Sequence, residues 1–301
     1  MTAPTRPAVD IVVPFAGPRA ALERIAAAVS AIRIAPDDTI VIVDNTAGGA
    51  GDAVETGVVK VVRADRMPSS YFARNRGAAV GVNEWVVFLD ADVDPPVDLV
   101  DAYFAQLPDD TTGMLVGAVR DIPPDGDLRP TAAVRYAHLR AVIDQEGTMR
   151  NPRWAYAKTA NCAVRRSAFE ALGGFREDIR SGGDADLCFR LKEAGWKLEW
   201  RREAEVVHRS REGVRDLLRQ RAKHGSGSEW LNRRYPGFSP RPRPVRVAAS
   251  AVRRMLAGTF ALARGNRDKM LVDYLDAASN CAFELGRFAS NVVRPRDRAD
   301  P

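Results

Sequence analysis

Residues 86 to 96 read VVFLDADVDPP, an apolar run that ends on Asp90, Asp92 and Asp94 and then on two prolines. Side chains two apart share one face of an extended segment, so Asp90 and Asp92 point the same way. Two carboxylates held side by side repel unless a cation sits between or beside them. Hard oxygen donors of this kind suit Mg²⁺ or Mn²⁺, and such an ion keeps open positions for the oxygens of a diphosphate. The alternative is a solvated turn in which the acids only stop the strand. Asp94 precedes Pro95, whose ring restricts its neighbour, and is read as shaping the turn. A second acidic pair, Asp184 and Asp186 in SGGDADLCFRL, opens an expected helix, where carboxylates also favour the positive end of the dipole.

Four short apolar runs must position the first of these groups: DIVVPF (10 to 15), TIVIVDN (39 to 45), VVKVVRA (58 to 64) and WVVFLDAD (85 to 92). They are rich in β-branched residues and bounded by polar or turn-forming ones, as expected of strands buried on both faces of a parallel sheet. RAALERIAAAVSAIR, between the first two, repeats Leu22, Ile25, Ala26, Val29 and Ile32 at helical spacing. ARNRGAAVGVNE is a second expected helix, whereas TAGGAGDAVETG is too glycine-rich for one. Strand, helix, strand in alternation predicts an α/β fold with a mainly parallel sheet. Such sheets bind ligands at the carboxyl ends of their strands, where Pro14, the pair Asp44–Asn45 and the triplet Asp90–Ala91–Asp92 fall.

Further along, GMLVGAV and NCAVRR predict strands, and WKLEW and AEVVHR predict two more. TAAVRYAHLRAVIDQ and DADLCFRLKEAG predict helices, and Ser167 to Glu170 reads as a capping box that starts a short helix ended by Gly173 and Gly174. From about residue 225 the character changes. RRYPGFSPRPRP predicts a linker, because its prolines deny helix and ladder hydrogen bonds. Beyond it, Leu271, Leu275, Ala278, Leu285 and Phe288 predict one apolar helix face in a basic, all-helical extension.

VVFLDADVDPP, preceded by SSYFARNRGAAVGVNEW, resembles the core of the family 2 inverting glycosyltransferases of GT-A fold, which carry an "ARNxG" helix start, an apolar strand and a D-x-D. Here the matching residues are Ala73 to Gly77 and Asp90-Ala91-Asp92. IVVPFAG, with Pro14 and Phe15, and VIVDNTAGG resemble that family's two nucleotide-base loops. TANCAVRRSAFEALGGFRE, with Asn161, resembles its acceptor-side segment, and GGDADLCFRL, with Asp186 and Arg190, its "EDxDLxxR" segment. The resemblance covers roughly residues 9 to 225 in the family's order. It implies a GT-A domain over 1 to 225, divided into a nucleotide-binding half at about 9 to 95 and an acceptor-side half at about 96 to 225.

The resemblance also implies roles. Asp44 would accept from a base N–H, Arg74 with its neighbour Asn75 would hydrogen-bond base or phosphate, and Asp90 would contact ribose or sugar. Asp92 and His208 would hold Mn²⁺ or Mg²⁺, and Asp184 would be the catalytic base that takes the acceptor's proton. The donor implied is a nucleoside-diphosphate sugar, UDP first and GDP or dTDP next, and the acceptor a glycan, a lipid-linked or a small molecule. One departure stands out: the family's Glu before the base is Gly183 here, which puts acceptor geometry rather than reaction type in question. Arg219, Gln220, His224 and Gly225 resemble a loop that closes over the diphosphate. Trp154, Trp196 and Trp200 are read as core before sugar platforms.

With 301 residues, 46% of them hydrophobic, the chain can bury a sizeable core. Residues 201 to 301 carry 22 Lys and Arg against 11 Asp and Glu, and the preceding residues carry 23 against 28. The basic last third suits a polyanion, with an anionic membrane surface ahead of nucleic acid, whose reading motifs are missing. Cys162, Cys188 and Cys281 form no CxxC pair, so neither a disulfide framework nor a structural zinc is expected. The N-terminus lacks a signal-peptide pattern and no apolar run reaches 18 residues, giving a cytoplasmic expectation, peripheral on the inner membrane face. A haloacid-dehalogenase-type phosphatase is the rival from another class, but position 94 is Asp where that motif wants Thr or Val. A sugar-binding or membrane-binding module without turnover is the non-catalytic rival.

Overall fold

The computed structural model describes residues 6–50, 57–122, 130–210 and 213–296. The four early apolar runs become β1 (Val9–Phe15), β2 (Thr39–Asp44), β3 (Val59–Arg63) and β4 (Trp85–Leu89). Helix α1 (Arg19–Ser30) joins the first two, and α2 (Ser70–Ala78) precedes β4. Of the glycine-rich connection after β2, residues 51 to 56 lie outside the described residues. Short β5 (Val93–Asp94) and α3 (Leu99–Tyr103) lead to β6 (Thr112–Ile122), α4 (Ala132–Arg140) and α5 (Glu146–Met149). Then come β7 (Asn161–Arg165), α6 (Arg166–Ala171), α7 (Gly183–Glu193) and β8 (Lys197–Arg209). Three helices complete the chain: α8 (Val214–Arg234), α9 (Pro244–Ala263) and α10 (Arg267–Gly286).

The strands form one sheet in the order β3-β2-β1-β4-β7-β6-β8-β5. β1 to β4 are mutually parallel, so α1 and α2 cross over as βαβ units require. The other half is mixed: β7 runs antiparallel to both β4 and β6, β8 is parallel to β6, and β5 is antiparallel to β8. Both faces of the sheet are covered. Leu22, Ala26 and Val29 of α1 pack with Leu99 and Tyr103 of α3 against Ile11, Ile42 and Val87. On the opposite face Phe72 of α2, Phe169 of α6 and Leu187 and Leu191 of α7 pack against Val12, Val43 and Phe88. Burial on two faces is what lets these strands be almost continuously apolar.

Several elements differ from their sequence reading. WKLEW and AEVVHR are one strand, β8, whose pairing with β6 slips between Gly117 and Ala118. Ser167 is not a cap, because α6 already begins at Arg166, and Glu170 instead bonds the Arg166 guanidinium at 3.2 Å. α4 ends at Arg140, five residues short of the expected end at Gln145, turned by Ala141 in the left-handed region at φ 44°. The change of character at residue 225 falls inside α8, which runs on to Arg234, and the linker is the irregular stretch after it. On α10 the buried residues include Asp273, Asp276, Ala277 and Ser279, whereas of the expected face Leu271, Leu275 and Ala278 are half-buried, Leu285 is exposed, and Phe288 lies exposed past the helix end. Polar residues fill that contact because α10 meets arginines and a tyrosine: Asp276 accepts from Tyr136 of α4 at 2.8 Å and Arg254 of α9 at 2.6 Å.

The chain then returns to the sheet domain. Ile179 and Val292 form an antiparallel bridge, and Asn291 accepts from the Ser181 N–H at 3.1 Å while donating to its carbonyl at 2.9 Å. Arg296 N–H donates to the Arg66 carbonyl at 2.8 Å. All three cysteines are free thiols. Trp154, Trp196 and Trp200 are partly buried against apolar clusters, as their strand and loop positions suggested.

Candidate active site

Side chains from α2 and from the carboxyl end of β4 meet the start of α7 and the end of β8. The last contact follows from pairing: β5 lies antiparallel to β8 with Val93 opposite His208, and Arg209 N–H donates to the Asp92 carbonyl at 2.9 Å. The His208 ring therefore arrives beside Asp92, with Nε2 3.5 Å from the Asp92 Oδ2. Its other nitrogen, Nδ1, is 2.6 Å from Oδ1 of Asp121, the residue that faces it across the β6–β8 ladder. Ser210 Oγ donates to that same oxygen at 2.7 Å. Burial works against a charged ring, yet the carboxylates of Asp121 and Asp92 outweigh it and pull the His208 pKa up to about 9. A cation taking Nε2 must displace that proton.

Asp90 forms an ion pair with Arg74, a fully packed arginine of α2 lying near the rings of Tyr71 and Phe175. Burial raises the Asp90 pKa; Arg74 opposes this, and the charges of Asp92 and Asp184 add to it. Asp184 stands in the first turn of α7 and is partly exposed. Thr159 N–H donates to its Oδ2 at 3.3 Å. Tyr71 lies beside the same carboxylate, and its pKa is driven well up by burial and by the Asp184 charge.

Tyr71 also explains Gly183. The Gly183 N–H donates to the tyrosine hydroxyl at 3.0 Å, and a Cβ at position 183 would meet the tyrosine ring at 2.7 Å. The room that a longer residue would need beside the Asp184 backbone is occupied by Tyr71.

Other candidate residues fall elsewhere. Asp44 is buried at the end of β2, its oxygens accepting from Thr46 N–H at 2.9 Å and Ala50 N–H at 2.6 Å, so it shapes its own loop. Pro14 is half-buried at the edge, but the Phe15 side chain belongs to the core under α1 and presents only backbone. Asn75 does not face the nucleotide edge. Its amide grips the backbone N–H and carbonyl of Phe175 at 2.9 and 2.8 Å, locking α2 to the GGF turn. Ala91 is partly buried against the core beside the acids.

The acceptor-side candidates lie deeper. Asn161 is fully enclosed, and its amide is committed to Tyr103, Ala118 and Ala204. Asp186 is also fully enclosed, held by Arg190 at 2.8 Å and by Tyr235 of α8 at 2.9 Å. Arg190 in turn caps the carbonyls of Leu172 and Gly174. Buried carboxylates of this kind must be paired, which is the work these two residues do. Arg219, Gln220, His224 and Gly225 form no loop; all lie on α8.

Sequence reasoning missed Asp121, Tyr71 and Lys158. Asp121 sits at the carboxyl end of a strand like the other acids, which was a usable signal. Lys158 had none: its ammonium is folded onto the carbonyls of Val142 and Asp144, and burial pulls its pKa down to about 8 against the opposing charges of Asp144, Asp121 and Asp184.

The family model described as glycosyl transferase family group 2 matches residues 85–266. A pre-mycofactocin glycosyltransferase of Mycobacterium tuberculosis is 32% identical over 168 residues, covering 54% of this chain and 35% of that protein. Glycosyltransferase AglE of Haloferax volcanii is 27% identical over 169 residues, 56% of this chain and 53% of its own length. The matched stretch thus spans about a third to a half of these curated relatives. Among solved structures, the mannosyltransferase PcManGT of Pyrobaculum calidifontis, solved with GDP-Man and Mn²⁺, superposes with a TM-score of 0.58. That likeness covers 92% of this chain and 87% of the other at 17% identity, and it shows a shared GT-A fold.

Proposed function

Because the chain belongs to glycosyl transferase family group 2, we propose that it moves a sugar from a nucleoside-diphosphate sugar to an acceptor hydroxyl in one inverting displacement. The observation that carries this reading is the placement of Asp184. It is a partly exposed carboxylate at the start of α7 that accepts from the Thr159 N–H, close enough to Asp90 and Arg74 for its charge to raise both pKa values.

In this reading Asp184 takes the acceptor's proton as that oxygen attacks the anomeric carbon. Asp90, steadied by Arg74, faces the ribose or sugar. Asp92 and His208 would hold a divalent cation, with Asp121 fixing the ring so that Nε2 faces Asp92. Among the described residues no three His, Cys, Asp or Glu side chains enclose an ion site, and Asp92 with His208 is the donor pair in this reading. That set suits Mg²⁺ or Mn²⁺, whose remaining positions go to phosphate oxygens and water. A bound cation would offset the charge of the departing diphosphate.

The test is a donor screen with purified protein, Mn²⁺ or Mg²⁺, and UDP-, dTDP- and GDP-sugars, including the GDP-mannose bound by the Pyrobaculum enzyme. Cation-dependent release of nucleoside diphosphate from one donor is expected. Asp184→Asn should lower turnover about 10²- to 10⁴-fold, and Asp92→Ala should abolish the cation dependence. Release of inorganic phosphate from simple phosphomonoesters would overturn the reading in favour of a phosphatase.

A further inference from the structure

Helix α9 is packed on one side only. Of its 20 residues, Gly258 and Ala261 are buried. Gly258 lies against Tyr274 and Asp273 of α10, and Arg254 turns the same way to reach Asp276. On the opposite side Val245, Val252, Leu256 and Phe260 are exposed, by 71, 59, 67 and 58%. At 3.6 residues per turn these four positions fall within about 80° of one another and form one stripe along the helix. Met255 and Leu262 widen it. Beside its start, Phe288 is exposed under the Arg241 guanidinium, 4.9 Å from ring centre.

Charge decides what fits this stripe. Residues 230 to 267 contain nine arginines and neither Asp nor Glu. Arg246, Arg253 and Arg264 lie within about 20° of one another on the helix wheel and border the stripe on one side. Arg264 leans over the Phe260 ring at 4.1 Å. A convex apolar ridge edged by arginines, carrying no carboxylate, is the pattern of a helix lying in a lipid interface. Apolar side chains sit below the headgroups while long arginines reach phosphates at the same depth. No helix among the described residues is long and apolar enough to cross a membrane, so the contact is lateral.

We propose that α9 anchors the protein flat on an anionic lipid bilayer, with Val245, Val252, Leu256 and Phe260 immersed and Arg246, Arg253 and Arg264 among the lipid phosphates. The anchor stands apart from the transferase reading, since it uses none of the site residues. Through α10 and α8 it is joined rigidly to α7, because Gly225 of α8 and Gly286 of α10 bring those two backbones into direct contact.

The experiment is co-sedimentation of the full chain with vesicles of phosphatidylcholine alone or mixed with phosphatidylglycerol. Binding to the mixed vesicles is expected to exceed binding to phosphatidylcholine at least about tenfold and to weaken as salt rises. Leu256→Asp with Phe260→Asp, and separately Arg246→Gln with Arg253→Gln, should each reduce it about tenfold while leaving circular dichroism and the melting temperature unchanged. No binding by the unmodified chain would overturn the proposal, as would equal binding to both vesicles. A concentration-dependent dimer that Leu256→Asp dissociates would assign the stripe to a second copy of the chain instead.

Discussion

Tyr71 and Gly183 are a complementary pair 112 residues apart, in which the ring occupies the volume a side chain at 183 would need. Gly183→Glu is therefore expected to destabilise the protein by about 1–3 kcal/mol through overpacking. Combined with Tyr71→Ala it should cost less than the sum of the two single changes, a non-additivity that denaturant melts of the four proteins would measure. The hydroxyl has a separate task. Tyr71→Phe keeps the ring but removes the oxygen to which the Gly183 N–H donates, loosening the first turn of α7 that presents Asp184. If Asp184 is the base, turnover falls about tenfold, with little change in donor KM. Unchanged turnover would show that Tyr71 only fills space.

Helix α8 crosses α10 at a distance that only glycine permits. A Cβ on Gly225 would lie 1.9 Å from the Phe283 carbonyl oxygen, and one on Gly286 would lie 2.0 Å from that of Ala222. Backbone cannot move aside as a flexible side chain can, so the helices would have to part. Gly225→Ala is expected to lower stability by at least about 1–3 kcal/mol, read as a drop in melting temperature. A variant of Ser250, on the far helix, serves as the control. The resemblance of residues 219 to 225 to a closing loop thus gives way to a packing reason for the glycine.

At the scale of the molecule, the helical region is not an appendage that can be cut at residue 225. Beyond that point lie Tyr235, which bonds the buried Asp186, and Asn291, which clamps the backbone of Ser181. Both hold the segment that presents Asp184. A chain ending at residue 225 is expected to lose cooperative thermal unfolding, because Asp186 would lose Tyr235 and Arg234 and the apolar cluster of Ala185 and Phe189 would lose Leu231 and Tyr235. Calorimetry of the two lengths would check this, and an unchanged transition would restore the boundary.

What the sequence by itself determined was local. β-branched runs have one way to be buried, so the strands of the nucleotide half were legible, and so was the run of acids at the end of β4. Asp90 and Asp92 are neighbours in the chain, and no folding is needed to see them together. The tertiary structure decided everything that joins distant segments. His208 meets Asp92 only because β5 pairs with β8, and Tyr71 meets Gly183 only because α2 and α7 pack on one face of the sheet. It also separated Asp184, which is accessible, from Asp186, which is enclosed, although the two are two residues apart on one helix. Helical rotation turns them to different sides, and only the position of α8 determines which side is covered.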